Sequence, residues 1–272
     1  MNVNIEKCIG CGQCVKDCFA STIELVDGKA KINNEKCIKC GHCIAICPKG
    51  AVRIDEYNME EVKKYNKDEF SVDADNLLNF IKFRRSIRQF KDRQVEEEKI
   101  HKIIEAGRYT ETGANAQDVS FTVVRERIQE LKGLAIESLN EKGENLLNNP
   151  TPETMHYQMF AEIWIKMYEE FKTNPNEKDN LFHNAPALIV VTADSEVDGA
   201  LASSNMELMT SALGLGTFFC GFFVIAAEDN KNIMELLGVK EGKKIVTCMV
   251  VRYPGVKYFR TVPRKEATIN WR

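Results

Sequence analysis

From residue 76 onward, the apolar positions of this chain switch between two periods. Leu77, Leu78, Ile81 and Phe83 have helical spacing. Ile100, Ile103, Ile104 and Gly107 repeat that spacing in a second helix, entered through Glu96, Glu97 and Glu98, whose negative charge suits a helix N-terminus. Residues 119–124 read as a strand, 187–192 as a buried apolar strand and 244–251 as another. Between them the pattern predicts helices over 128–139, 153–171 and 197–213. The last stops at Leu213-Gly214-Leu215-Gly216-Thr217, where glycine can take the left-handed backbone that ends helices. More helix than strand results, so this part reads as an α+β domain. Residues 1–60 follow another rhythm. They fall into two repeating halves, each ending in a short strand, at 23–26 and 52–54, with a turn at Asp27-Gly28. Residues 55–75 are dense in Glu, Lys, Asp and Asn and read as a solvated stretch with one short helix. The expected organisation is a small module at 1–60, a charged linker at 61–75 and a larger domain at 76–272.

The 272 residues carry a net charge of −3, and no Lys/Arg block stands out, which argues against a nucleic-acid partner. No apolar run reaches the roughly 18 residues of a membrane span; residues 218–227 are the longest candidate. Met1 to Lys7 lack the apolar core of a signal peptide. The chain is expected to be soluble and cytoplasmic, a reducing setting in which its ten cysteines do not form a disulfide framework.

Eight of those cysteines repeat one spacing. Cys8, Cys11, Cys14 and Cys18 form C-x2-C-x2-C-x3-C, and Cys37, Cys40, Cys43 and Cys47 form it again, with Pro48 behind. A zinc ribbon needs two C-x2-C pairs instead. Soft thiolates in runs of this kind suit iron–sulfur clusters. The spacing resembles that of two-cluster bacterial ferredoxins, in which the fourth cysteine of each run ligates the other run's cluster. That resemblance implies one 4Fe-4S cluster on Cys8, Cys11, Cys14 and Cys47, and a second on Cys18, Cys37, Cys40 and Cys43. Phe19 stands where the pattern usually has proline after the first run. Such clusters move single electrons and bind no substrate, so the chemistry falls to the rest of the chain.

Arg84-Arg85-Ser86-Ile87-Arg88-Gln89-Phe90 sets three arginines and a serine at a helix-to-loop junction. Such a group can grip a phosphate or be a solvated basic surface. Thr112-Gly113-Ala114-Asn115-Ala116-Gln117, Asn184-Ala185-Pro186, the glycines after residue 213 and Pro263-Arg264-Lys265 follow in that order. In that order, residues 76–272 resemble the nitroreductase family of FMN enzymes. With the ferredoxin-like module, nearly the whole chain resembles iron–sulfur nitroreductase-like proteins of anaerobic bacteria. The resemblance implies a central sheet flanked by helices, and homodimers with FMN at the subunit interface.

It also implies roles for residues. Arg84 reaches the FMN phosphate, with the variable Arg85 beside it, Ser86 the phosphate or ribityl chain, and Arg88 the N1/O2 edge. Asn115 and Gln117 bond the ring or ribityl, from this subunit or its partner. Cys220 and Gly221 lie where backbone N–H meets flavin N5, and Arg264 with Lys265 closes on the phosphate. Glu111-Thr112 and Gln117-Asp118-Val119 depart from the family's usual Pro-Ser and Gln-Pro-Trp. A fixed guanidinium near N1 stabilises reduced flavin, so Arg88 raises its two-electron potential. Cys220 reads as a packed wall, Cys248 as core, and His101 and His183 receive no role. Met159, Ile163 and Met167 form an apolar stripe read as core or dimer interface, with a lid as the alternative. The expected activity is electron delivery through the clusters to FMN and on to a small electrophilic acceptor such as a nitroaromatic or quinone, with ferredoxin or NAD(P)H as donor. The alternatives are NAD(P)H oxidation with electrons exported through the clusters, and a non-catalytic redox sensor or carrier.

Overall fold

The computed structural model describes residues 1–175 and 177–272, apart from the side chain of His156. Asn174-Pro175-Asn176 reads from sequence as a loop that ends the helical stretch 153–171, and Asn176 lies outside the described residues. Two compact units divide the chain: Met1–Asp73 with Thr112–Gln117, and Ala74–Glu111 with Asp118–Arg272.

The first unit is built from very short elements. In chain order they are β1 (Asn2–Val3), α1 (Gln13–Asp17), β2 (Ile23–Val26), β3 (Lys29–Ile32), α2 (His42–Ala45), β4 (Val52–Arg53) and α3 (Lys67–Phe70). β1 pairs antiparallel with β4, and β2 with β3. The hairpin turns at Asp27 and Gly28, both at positive φ, the geometry that matches strand twist in a two-residue loop. Against that turn packs Gly10, where a Cβ would lie 2.0 Å from the Gly28 carbonyl oxygen, so only glycine fits. The buried residues are Met1, Ile23, Ala30, Cys43, Val52 and Ile54, with five further cysteines packed around them. Asn66 caps α3 by accepting from the Asp68 amide.

The second unit contains α4 (Ala74–Phe83), α5 (Glu97–Arg108), β5 (Ser120–Val124), α6 (Ile128–Asn148), α7 (Gln158–Thr173), β6 (Leu188–Ala193), α8 (Glu196–Ala212), β7 (Gly216–Phe219), α9 (Gly221–Ala227), α10 (Lys231–Leu237) and β8 (Lys244–Arg252). Its antiparallel sheet has the order β5-β6-β8-β7. The period of two along each strand divides the apolar residues between two cores. Leu188, Val190, Phe218, Cys248 and Val250 enter one with α6, α7, α9 and α10. Ile189, Val191, Met249 and Val251 enter the other with α5 and α8. The sheet is therefore sandwiched, as the α+β reading with a central sheet expects. Gly199 lets α8 lie close on β8, since a Cβ there would meet Val246 at 2.7 Å.

Three local expectations change. α6 runs to Asn148 instead of ending at 139, because its later turns pack on α7: a Cβ at Gly143 would meet the Ala161 carbonyl oxygen at 3.1 Å. α7 buries Ala161, Trp164 and Met167, while Met159 and Ile163 of the expected stripe are exposed. The stretch 218–227 splits into the end of β7 and α9, the latter packing Phe222 edge-on against Phe160 and Trp164. Among the described residues no helix is long and apolar enough to cross a membrane. Phe223 is fully buried in the α6–α9 core. Replacing it with alanine should lower stability by about 3–5 kcal/mol in urea unfolding with unchanged slope; a loss below about 1 kcal/mol would contradict this packing.

Candidate functional site

The cysteines are arranged by two short helices. Cys8 and Cys11 precede α1, Cys14 lies on it and Cys18 is its C-cap; Cys37 and Cys40 precede α2, Cys43 lies on it and Cys47 follows. Each helix carries its run's last cysteine away from the first three. One cavity is lined by Cys8, Cys11, Cys14 and Cys47, and a second by Cys18, Cys37, Cys40 and Cys43. Backbone amides point at sulfurs: Ala30 at Cys8, Thr22 at Cys18, Lys39 at Cys37 and Ala51 at Cys47, at 3.3–3.5 Å. The Ala30 and Gly10 amides hold the Cys8 thiol below its ordinary pKa. At Cys18 burial pushes the other way, and the Thr22 hydroxyl and nearby amides outweigh it. Burial raises Cys14, and burial with the neighbouring Cys37 and Cys40 raises Cys43 to about 11.

Among the described residues no three His, Cys, Asp or Glu side chains converge on one ion-sized point. A tetrahedral zinc site would need its sulfurs within about 4 Å of one another, given Zn–S bonds near 2.3 Å. Four thiols spread around a cavity, with amides aimed at sulfur, fit a larger polynuclear group.

The second group of candidates forms along β7. Past the end of α4 the chain extends, and Ser86 bridges in parallel to Thr217 while the Ile87 amide donates to the Thr217 carbonyl at 3.0 Å. Ile87 is buried against Gly216, where a Cβ would clash at 2.9 Å. Strand alternation then turns Ser86 and Arg88 outward on one face. The Arg88 guanidinium lies 5.1 Å from the centre of the Phe218 ring. Phe219 is partly exposed, and a Cβ at Gly221 would meet nothing within 4 Å. Thus Ser86 and Arg88 lie near residues 218–221, beside an approachable backbone.

Arg84 instead pairs with Glu207 at 2.5 Å, and Arg85 donates to the carbonyls of Lys82 and Arg84. Two buried polar atoms here have no partner, Arg85 Nε and Thr217 Oγ1. Asn115 donates to the Ile38 carbonyl at 3.0 Å and Gln117 to the Tyr57 hydroxyl at 3.1 Å, both within the first unit. Ala114, Asn115 and Gln117 hold positive φ, a strained segment for residues other than glycine. Arg264 and Lys265 lie exposed in the extended C-terminal stretch.

Cys220 is buried, donates its S–H to the Leu181 carbonyl and has its pKa pushed up to about 12 by burial; Cys248 is raised by the same cause. Neither is a thiolate nucleophile. The sequence reading passed over Glu207 and His183. Glu207 sits on the inward face of α8 with Ser203, Met206 and Thr210, and a charged residue on a buried helical face was the available signal. His183 meets the Phe218 ring edge-on at 5.3 Å, on a loop held by Asp179, whose carboxylate accepts from the amides of Leu181, Phe182 and Asn184. Burial lowers its pKa, with Asp179 opposing and Arg88 adding to the effect.

Residues 81–253 match the Nitroreductase family, and residues 1–48 match the 4Fe-4S dicluster domain. A protein of Archaeoglobus fulgidus, provisionally named NADH dehydrogenase/NAD(P)H nitroreductase, is 27% identical over 190 residues, 66% of this chain and 86% of its own. One from Methanothermobacter thermautotrophicus with the same provisional name is 26% identical over 189 residues, 66% of this chain and 78% of its own. Among solved structures, a Bacteroides fragilis nitroreductase with bound FMN aligns with a TM-score of 0.51 at 22% identity, covering 71% of this chain and 98% of that one. A Desulfitobacterium hafniense nitroreductase with bound FMN gives 0.50 at 22% identity, covering 71% and 97%. The sandwiched sheet, the extended segment along β7 and a match over well over half the chain agree: this chain belongs to the nitroreductase family and carries a 4Fe-4S dicluster domain ahead of it.

Proposed function

We propose that this flavin oxidoreductase uses FMN fed by its two 4Fe-4S clusters to reduce a small electrophilic acceptor, a nitroaromatic, quinone or similar compound. The observation that carries the reading is the pair of cavities with crossed cysteine sets, in the same chain as the Ser86 and Arg88 face beside residues 218–221. When bound, the clusters handle single electrons and FMN handles two together, so the set converts one kind of transfer into the other.

The rest is work for this chain's own residues. Cys8, Cys11, Cys14 and Cys47 would hold one cluster, and Cys18, Cys37, Cys40 and Cys43 the other. Arg84 and Ser86 would hold the FMN phosphate, with Arg85 beside them, and Arg264 and Lys265 would close on it. Arg88 would offer fixed positive charge to the N1/O2 edge, where reduction adds electron density. Gly221, lacking a Cβ, lets backbone N–H approach the ring, and Cys220 and Phe218 exclude water behind it. Asn115 and Gln117 would reach ring or ribityl groups.

A second copy of this chain is part of the proposal. α4 buries none of its residues and exposes Leu77, Leu78, Ile81 and Phe83. Beyond β8 the chain exposes Phe259, Val262, Ile269 and Trp271. Clustered exposed apolar residues of this kind point to an interaction site. NAD(P)H oxidation with electron export through the clusters is the second reading, favoured by the names of the archaeal relatives.

Anaerobic reduction of the purified protein, followed by flavin absorbance with reduced ferredoxin, NADH and NADPH in turn, separates the two readings. Ferredoxin-driven flavin bleaching followed by reoxidation with a nitroaromatic is expected; bleaching by NAD(P)H alone would favour the second. Cys18→Ala should lose the iron of one cluster, retain FMN and abolish ferredoxin-driven reduction. Equal rates in variant and parent would mean the clusters do not feed the flavin. Arg264→Ala should weaken FMN binding by about 1.5–3 kcal/mol, the worth of one charge-assisted contact, with less effect on turnover at saturating flavin; an unchanged FMN titration would refute that contact. Sedimentation at micromolar concentration should give a dimer, and a monomer that keeps its FMN would count against the shared pocket.

A further inference from the structure

The Arg84–Glu207 ion pair lies half-buried in the second unit. Glu207 is 8% exposed, on the face of α8 that also buries Ala202, Ser203, Met206 and Thr210. Its Oε1 accepts from Arg84 Nη1 at 2.5 Å. Burial pushes the Glu207 carboxyl above its ordinary pKa, and Arg84 pulls it back. An apolar residue at this point of the helix would avoid the desolvation that a carboxylate incurs, so stability alone does not explain glutamate there.

Arg84 is otherwise lightly held. It follows the last residue of α4, and its amide donates to the Phe80 carbonyl at 3.1 Å. A free arginine side chain loses rotamer freedom when it is ordered on a ligand. The guanidinium has five N–H groups in a rigid fork, and Glu207 engages one nitrogen. Holding that nitrogen restricts where the remaining donors can point.

We propose that Glu207 is a positioning residue, which orients the Arg84 guanidinium so that its other edge meets the FMN phosphate without first being ordered. The inference rests on the reading that Arg84 holds that phosphate. Glu207 touches neither flavin nor acceptor and acts through Arg84. This is the role that outer carboxylates have behind ligand-holding side chains, where their loss costs about tenfold or more in affinity.

The test uses the full chain with its clusters intact and flavin removed, titrated with FMN and with riboflavin, which lacks the phosphate. Glu207→Gln keeps size and removes charge. It should weaken FMN binding about tenfold while leaving riboflavin binding within about twofold. In an Arg84→Ala background, Glu207→Gln should add nothing, since coupled residues are not additive. Unchanged or tighter FMN binding in Glu207→Gln, with Arg84→Ala still weakening it, overturns the inference and leaves the Arg84 assignment standing. Equal losses for FMN and riboflavin also overturn it, because a general structural role would do that. No loss in Arg84→Ala overturns the phosphate assignment and the inference together. Should Glu207→Gln fail to fold, Glu207→Met, near in volume and apolar, is read by the same criteria.

Discussion

The second unit depends on burying both faces of β6 and β8. Every residue of β6 is buried, and so are residues 248–252 of β8. Two-sided burial leaves no room for a charged group in mid-strand, because an unpaired charge there would cost several kcal/mol. Chemistry is therefore displaced to the sheet's edge. β7 is that edge, and its outer side is taken by the extended segment at 86–87 in a brief parallel contact. A helix ending at Phe83, one buried plug at Ile87 and an alternating backbone are enough to turn Ser86 and Arg88 outward together.

The first unit solves a different problem. Its core is six buried residues, one of them a cysteine, with five more cysteines packed around them. That is far too little apolar surface to offset the ordering of some seventy residues, and small domains of this kind rely on metal or covalent staples. On the proposed reading the cysteines are at once ligands and core, so holding a cluster and folding would be one event. The left-handed glycines at 10, 12 and 41 bend the chain within the two cysteine runs, and the amides of Gly10 and Ala30 turn toward Cys8.

Legibility in the sequence followed the range of the interactions involved. Cysteine spacing is local, and it foretold two groups of four. Strands at 187–192 and 244–251 were legible because two-sided burial writes a continuous apolar run. β7 was not, since its glycines and aromatics read equally as a helix stop and a wall. α6 was read short because residues 140–145 are polar, whereas its continuation is set by α7, more than ten residues away in sequence. The pairing of Arg84 with Glu207 joins positions 123 apart, and nothing local announces it. Asn115 likewise bonds to Ile38, 77 residues distant, a contact no motif encodes.

On the proposed reading, the ion pair also ties the phosphate contact to the least supported helix in the second unit. α4 places no residue in either buried core, unlike the other helices of this unit. Its continuation carries Arg84 and, two residues on, the segment that pairs with β7. Two anchors therefore bracket the turn out of α4: the Arg84 contact to buried Glu207 and the Ile87 plug against Gly216. An apolar helix face left open at 43–47% exposure loses free energy in water that only a partner surface can recover. On the proposed dimer, closing that surface and steadying the phosphate-binding arginine are the same structural act. A chain that binds its flavin with Arg84 thus has a physical reason to bind it as an assembled pair rather than alone.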